Sequence, residues 1–158
     1  MFYVMNILND LEKIETSLMG IYAKMAEHFV DDDDCRALFL ALSRDEETHA
    51  GHVRYQKRLV RQSPTDFCHV SIDLDEMKEI LEFLGHLLEN PPTPSPEEAV
   101  RLAIDLESTS QEKMYRSIIV ESCPELKPLI DNLTRFDEKH LSRLQAFMNE
   151  HFPEDTVE

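Results

Sequence analysis

Tryptophan is absent from this 158-residue chain, and glycine and cysteine occur three times each. So little glycine is the mark of long, uninterrupted helices rather than of a turn-rich fold. Cys35, Cys68 and Cys123 are widely spaced, odd in number and without a CxxC pair. That argues against a zinc ribbon or an iron–sulfur site and leaves no disulfide framework to expect. The opening MFYVMN carries no basic stretch, and no apolar run reaches bilayer length, so neither a leader nor a membrane span is expected. Basic residues are also scarce, 16 against 32 acidic ones, for a net charge of −16. Without a basic patch for phosphate, nucleic acid and anionic membranes drop out as partners. What remains is the profile of one domain, large enough for a real core, in a reducing cytoplasm.

The eight prolines punctuate the chain at 91–96, near 124–128, and singly at 64 and 153. Between them the hydrophobic periodicity predicts an all-α fold with four long helices. Helix A spans 5–29, with a stripe of Leu8, Leu11, Glu15, Leu18, Tyr22, Met25 and Phe29 at steps of three and four. VDDDD closes it, and Asp34 is placed to cap helix B, 35–61. The stripe of helix B is Leu38, Leu42, Glu46, His49, Val53, Gln56 and Val60. Residues 62–95 form a long crossover that holds a short amphipathic helix near DLDEMKEILEFLGHLLEN and ends in the rigid PPTPSP. Ser95 as cap and Pro96 at the first helical position open helix C, 96–121, striped by Val100, Ala103, Glu107, Ser110, Met114 and Ile118. Helix D, 125–151, presents Leu126, Ile130, Leu133, Asp137, His140, Leu144, Phe147 and His151, and 152–158 is a polar tail. Short A–B and C–D turns with one long crossover predict two antiparallel hairpins packed as a four-helix bundle.

Six ionisable side chains interrupt the apolar stripes: Glu15, Glu46, His49, Glu107, Asp137 and His140. Within each hairpin they lie level, roughly 24 Å from the turn at the rise of an α-helix. The halves correspond as well, because Glu107 follows Glu15 by nearly the same interval that separates Asp137 from Glu46 and His140 from His49. A lone Glu-x-x-His is usually a solvated pair on a helix surface. Four interior carboxylates are a different matter, since each must be compensated or take up a proton. No Arg or Lys stands on the stripes to pair with them. Two divalent cations are the simplest compensation, and four carboxylates with two neutral imidazoles offer oxygen and nitrogen ligands suited to iron or manganese.

One Glu from each of two helices and acid-x-x-His from the other two is the ligand pattern of ferritin-like dimetal carboxylate proteins. IETSLMGIYAKMAEHF (14–29), FLALSRDEETHAGH (39–52) and FDEKHLSRL (136–144) resemble the rubrerythrin branch of that superfamily. The resemblance covers helices A, B and D well, helix C less well and the crossover poorly. It implies a ferritin-like bundle in which Glu15 and His49 hold one metal and Glu107 and His140 hold the other or bridge. Glu46 and Asp137 would then be bridging or terminal carboxylates. It further implies two iron ions, with manganese or zinc as substitutes, reacting with hydrogen peroxide or dioxygen in oxidative-stress defence. Three departures qualify the likeness. No rubredoxin-like domain with paired CxxC motifs is present, so electrons must come from a separate donor. The turn of helix C that carries a second glutamate in the family offers Ser110 and Gln111. Asp137 stands where the family prefers Glu.

The other polar residues read plainly. Tyr22 and Tyr115 read as core aromatics, with a hydrogen bond to a ligand carboxylate as the lesser alternative; His52 belongs to the surface, and His28, His69 and His86 have no matched partners. His151 is on a stripe but far from the other ligands. Cys35 is a plain thiol, although a helix start can lower a thiol pKa. Alternatives to a peroxide- or oxygen-reducing enzyme are an iron-binding protein without turnover, or a structural bundle with a degenerate site. A homodimer is expected from the family's habits.

Overall fold

The computed structural model describes residues 2–67 and 74–154, apart from the side chains of Phe2, Tyr3, Ser110 and Gln111. Cys68, His69 and the tail from residue 155 onwards lie outside them, as does the stripe position of Ser110. Among the described residues the regular structure is helical throughout, which makes the chain a member of the all-α class. The elements are α1 (Phe2–His28), α2 (Asp33–Gln62), α3 (Asp75–Glu89), α4 (Pro96–Glu107), α5 (Ser110–Ser122) and α6 (Lys127–His151). Short 3-10 turns occupy Pro64–Asp66 and Pro124–Leu126. No described helix is long and apolar enough to cross a membrane.

The stripe of α1 is buried as its periodicity demands, Glu15 included, and so is most of those of α2 and α6, where Gln56 and Phe147 are half-buried and His151 is exposed. Each aliphatic or aromatic side chain so buried is worth about 1.5–3 kcal/mol of transfer free energy. The caps follow the local chemistry. Ser95 accepts the Glu98 amide at 3.2 Å ahead of Pro96. The cap of α2 is Asp32, which accepts the Cys35 amide at 3.0 Å, and not Asp34. Cys123 is buried and disulfide-bonded, although the cysteine spacing predicts no bridge, while Cys35 is a free thiol.

The α1–α2 and α2–α6 pairs run antiparallel. In the α1–α2 hairpin, Ser43 donates to the Met19 carbonyl at 2.9 Å, while Lys57 and Arg54 reach back to Glu12 at 2.6 and 2.8 Å. Helices α2 and α6 meet through Asp45–Arg143 at 3.0 Å and Asp34–His151 at 3.4 Å. The crossover is tied down along α1. A methyl group on Gly20 would come within 3.0 Å of Leu88 in α3, and Lys24 donates to the Leu88 carbonyl at 2.7 Å. His28 contacts the Pro94 carbonyl at 2.9 Å.

Helix C differs most from its prediction. It is broken after Glu107: the Ser108 hydroxyl folds back onto the Ile104 carbonyl at 2.6 Å, and Thr109 is extended. Ser and Thr bond their own backbone readily and so compete with helix continuation. The break shifts the buried face. Beyond it the buried residues are Glu112, Tyr115, Arg116, Ile119 and Cys123, while Met114, expected inside, is 47% exposed.

Candidate metal centre

Four helices bring the six polar stripe residues together. Glu15 comes from α1, Glu46 and His49 from one turn of α2, Glu107 from the last residue of α4, and Asp137 and His140 from one turn of α6. All six are buried, Glu46 completely. His49 Nδ1 lies 2.9 Å from Glu46 Oε2 and 3.4 Å from Glu15 Oε2. His140 Nδ1 lies 3.2 Å from Glu46 Oε1 and 3.3 Å from Glu107 Oε1. Glu46 thus stands between the two imidazoles with one oxygen towards each. Two overlapping ligand groups result, Glu46–His49–His140 and Glu107–Asp137–His140, each with its donor atoms within 4.8 Å of one another.

The surroundings orient these ligands. The outer nitrogen of His140 faces Asp45 at 3.3 Å, and Asp45 is held in turn by Arg143 at 3.0 Å. That imidazole nitrogen has no hydrogen-bond partner, so Asp45 acts on the ring by its charge alone. His49 stacks on Phe136 with ring centroids 4.6 Å apart and lies 5.0 Å from the His140 ring. Tyr22, read from sequence as a core aromatic, is fully buried and also donates to Glu107 Oε1 at 2.5 Å. The Tyr115 hydroxyl reaches Glu112 at a longer 3.5 Å.

Two residues of the centre were missed by periodicity, and both follow the break in helix C. Arg116 is buried and its guanidinium meets Asp137 Oδ2 at 2.7 Å, with Glu112 at 3.8 Å. The expectation that no basic side chain compensates the interior acids is therefore wrong. So is the expectation that Ser110 and Gln111 leave helix C without a second acid, because Glu112 is buried there. Reading α5 as a fresh helix would have exposed the signal: Glu112, Tyr115, Ile119 and Cys123 form their own three-and-four stripe, with Arg116 at i+4 from Glu112. A cleft of about 560 Å³ between α5 and α6 reaches these groups and is lined by Glu107, Glu112, Arg116 and Asp137.

Burial and crowding of like charge set the titration of the site. Burial, reinforced by the charge of Glu46, lifts the Glu15 carboxyl to about 7. Burial lifts Asp137 to about 7 as well, against the pull of Arg116. Glu112 is pushed well above the carboxylate range by burial, although Arg116 opposes it. For the imidazoles burial works against protonation, but Glu15 and Glu46 outweigh it and raise His49 to about 9. Glu107 and Glu46 likewise raise His140 to about 10. Far from the centre, burial and the charge of Asp32 push the Cys35 thiol up to about 12, so the helix start does not activate it.

The donor set suits a transition-metal cation. Glu15 Oε2, Glu46 Oε1 and His140 Nδ1 are buried, and none has a hydrogen-bond partner. Buried polar atoms are seldom left so. Glu46 Oε1 and His140 Nδ1 are within 3.2 Å but badly angled for sharing a proton, as atoms aimed at a common third body would be. No protein-family model matches the chain, and neither does any curated protein or solved structure.

Proposed function

We propose that this chain is a ferritin-like, rubrerythrin-type metal protein that holds iron among its buried carboxylates and imidazoles and reacts with hydrogen peroxide or dioxygen. A separate protein or small reductant supplies the electrons. The observation that carries the reading is the convergence of Glu46 Oε1 and His140 Nδ1 on one another, buried and without hydrogen-bond partners. The antiparallel α1–α2 pair, the long crossover and the α4/α5–α6 half support the ferritin-like bundle. Manganese or zinc would satisfy the same ligands.

Bound iron would supply a Lewis acid that also changes oxidation state. The protein's own groups do the rest. His49 and His140 present their Nδ1 atoms inward, Asp45 places a negative charge 3.3 Å behind the ring of His140, and Tyr22 holds one oxygen of Glu107. The cleft between α5 and α6 is wide enough for a molecule the size of peroxide and leads to Glu107. Phe136 stacks on the ring of His49, and Tyr115 is fully buried beside Glu112.

Metal quantification after anaerobic reconstitution with iron(II) tests the reading. We expect stoichiometric iron in the parent protein and a sharp drop in Glu46→Ala and His140→Ala, followed by repeated peroxide turnover when reductant is supplied. Oxidation in a single round with iron retained would favour storage over catalysis. No bound iron, manganese or zinc would leave a structural bundle, a reading that the Arg116–Asp137 pair favours because it already neutralises part of the site.

A further inference from the structure

The two ligand groups are not equivalent. The group Glu46–His49–His140, with Glu15 beside it, contains no fixed positive charge from Lys or Arg. The group Glu107–Asp137–His140 already has one: Arg116 Nη1 is 2.7 Å from Asp137 Oδ2, a charge-assisted contact of normal length. The groups also share His140, whose Nδ1 serves the interior while its other nitrogen faces Asp45. We infer that Arg116 stands in for a second metal ion, so that the protein binds one cation at Glu15, Glu46, His49 and His140 while the guanidinium permanently occupies the Asp137 side.

Charge and access agree with this arrangement. Five buried carboxylates, Glu15, Glu46, Glu107, Glu112 and Asp137, crowd the centre. Arginine keeps its proton under all ordinary conditions, so its charge cannot be withdrawn to admit a metal. Its guanidinium lies between Asp137 and Glu112, and Nη1 is fixed by Asp137 at 2.7 Å and by Thr134, which accepts at 3.3 Å, while Glu112 stands 3.8 Å from Nη2. The cleft lined by Arg116 and Asp137 offers an ion a way in from solvent. Occupancy by the guanidinium, and not occlusion, is then what excludes the second ion. Asp137, a metal ligand by sequence pattern, becomes the counter-ion of Arg116.

The inference rests on the metal-binding reading, and one set of measurements separates the two. Full-length protein is reconstituted anaerobically with manganese(II), freed of excess metal, and assayed for manganese per chain and by electron paramagnetic resonance. We expect a single ion per chain with the spectrum of isolated, uncoupled manganese(II). Arg116→Met keeps an apolar stem but removes the charge, and should raise the loading to two ions with exchange coupling between them. Arg116→Gln provides the same readout should the methionine variant not fold. Asp137→Asn should still bind a single ion, whereas His49→Gln should lose it. Two coupled ions in the parent protein would overturn the stand-in role while leaving the metal-binding reading intact. Loading that stays at a single ion in the Arg116 variants would overturn it as well. No manganese, iron or zinc in the parent protein would overturn both.

Discussion

Tyr22 shows at the level of one residue how packing and chemistry are combined. Its ring is a full member of the apolar stripe of α1, yet its hydroxyl supplies the 2.5 Å hydrogen bond to Glu107. Tyr22→Phe should keep the packing and strand a buried carboxylate oxygen, costing about 2 kcal/mol of stability by the worth of hydrogen bonds to charged groups. Chemical denaturation of metal-free protein measures this; a loss below about 0.5 kcal/mol would mean that the hydroxyl does not support Glu107. In the sequence that role is only the lesser reading of Tyr22, because an aromatic on a stripe is usually core packing. Glu15, Glu46, His49, Glu107, Asp137 and His140 were legible, because a carboxylate or imidazole on an apolar face is conspicuous. Their burial and convergence can be read from one-dimensional spacing; whether each holds metal depends on its neighbours. Arg116 is the case in point, since it recasts Asp137 without touching the pattern that singled Asp137 out.

Among the elements, α1, α2 and α6 lie within two or three residues of their predicted bounds, since an unbroken stripe fixes both extent and facing. Helix C failed because one stripe was extended through Ser108 and Thr109, where side-chain bonds to the backbone reset the helix. Continued at 3.6 residues per turn, the first stripe puts Met114 inside and leaves out Arg116. The observed phase is open to mutation. Met114→Lys, at an exposed site, should change stability by less than about 0.5 kcal/mol. Ile119→Ala, at a fully buried one, should cost about 3 kcal/mol. Urea unfolding of the two variants decides between the phases, and the reverse order would restore the single continuous helix.

For the whole molecule the acids and imidazoles of the centre act together on pH dependence. His49 and His140 hold protons more tightly when folded, at about 9 and about 10, than at the usual 6.5. Their stabilising effect is therefore complete below the usual value and is lost as pH rises through the folded ones. Glu15 and Asp137 are also raised, to about 7, so their contribution is complete in acid and is lost as pH climbs to about 7. All four changes weaken the metal-free protein as pH rises. A cation takes the place of those protons, so metal-loaded protein should gain relative thermal stability across the same interval. Melting curves with and without metal should draw apart from pH 6.5 to about 9; curves that converge would show that the metal binds elsewhere.

The guanidinium of Arg116 has one more consequence, in the order of events during the protein's life. A centre neutralised only by metal would have to collapse around an ion already captured, or stay unformed until one came. Here the chain brings its own permanent positive charge to the middle of five acids. It can therefore fold first, with protons filling the remaining places, so that the proposed metal would enter a finished receptacle.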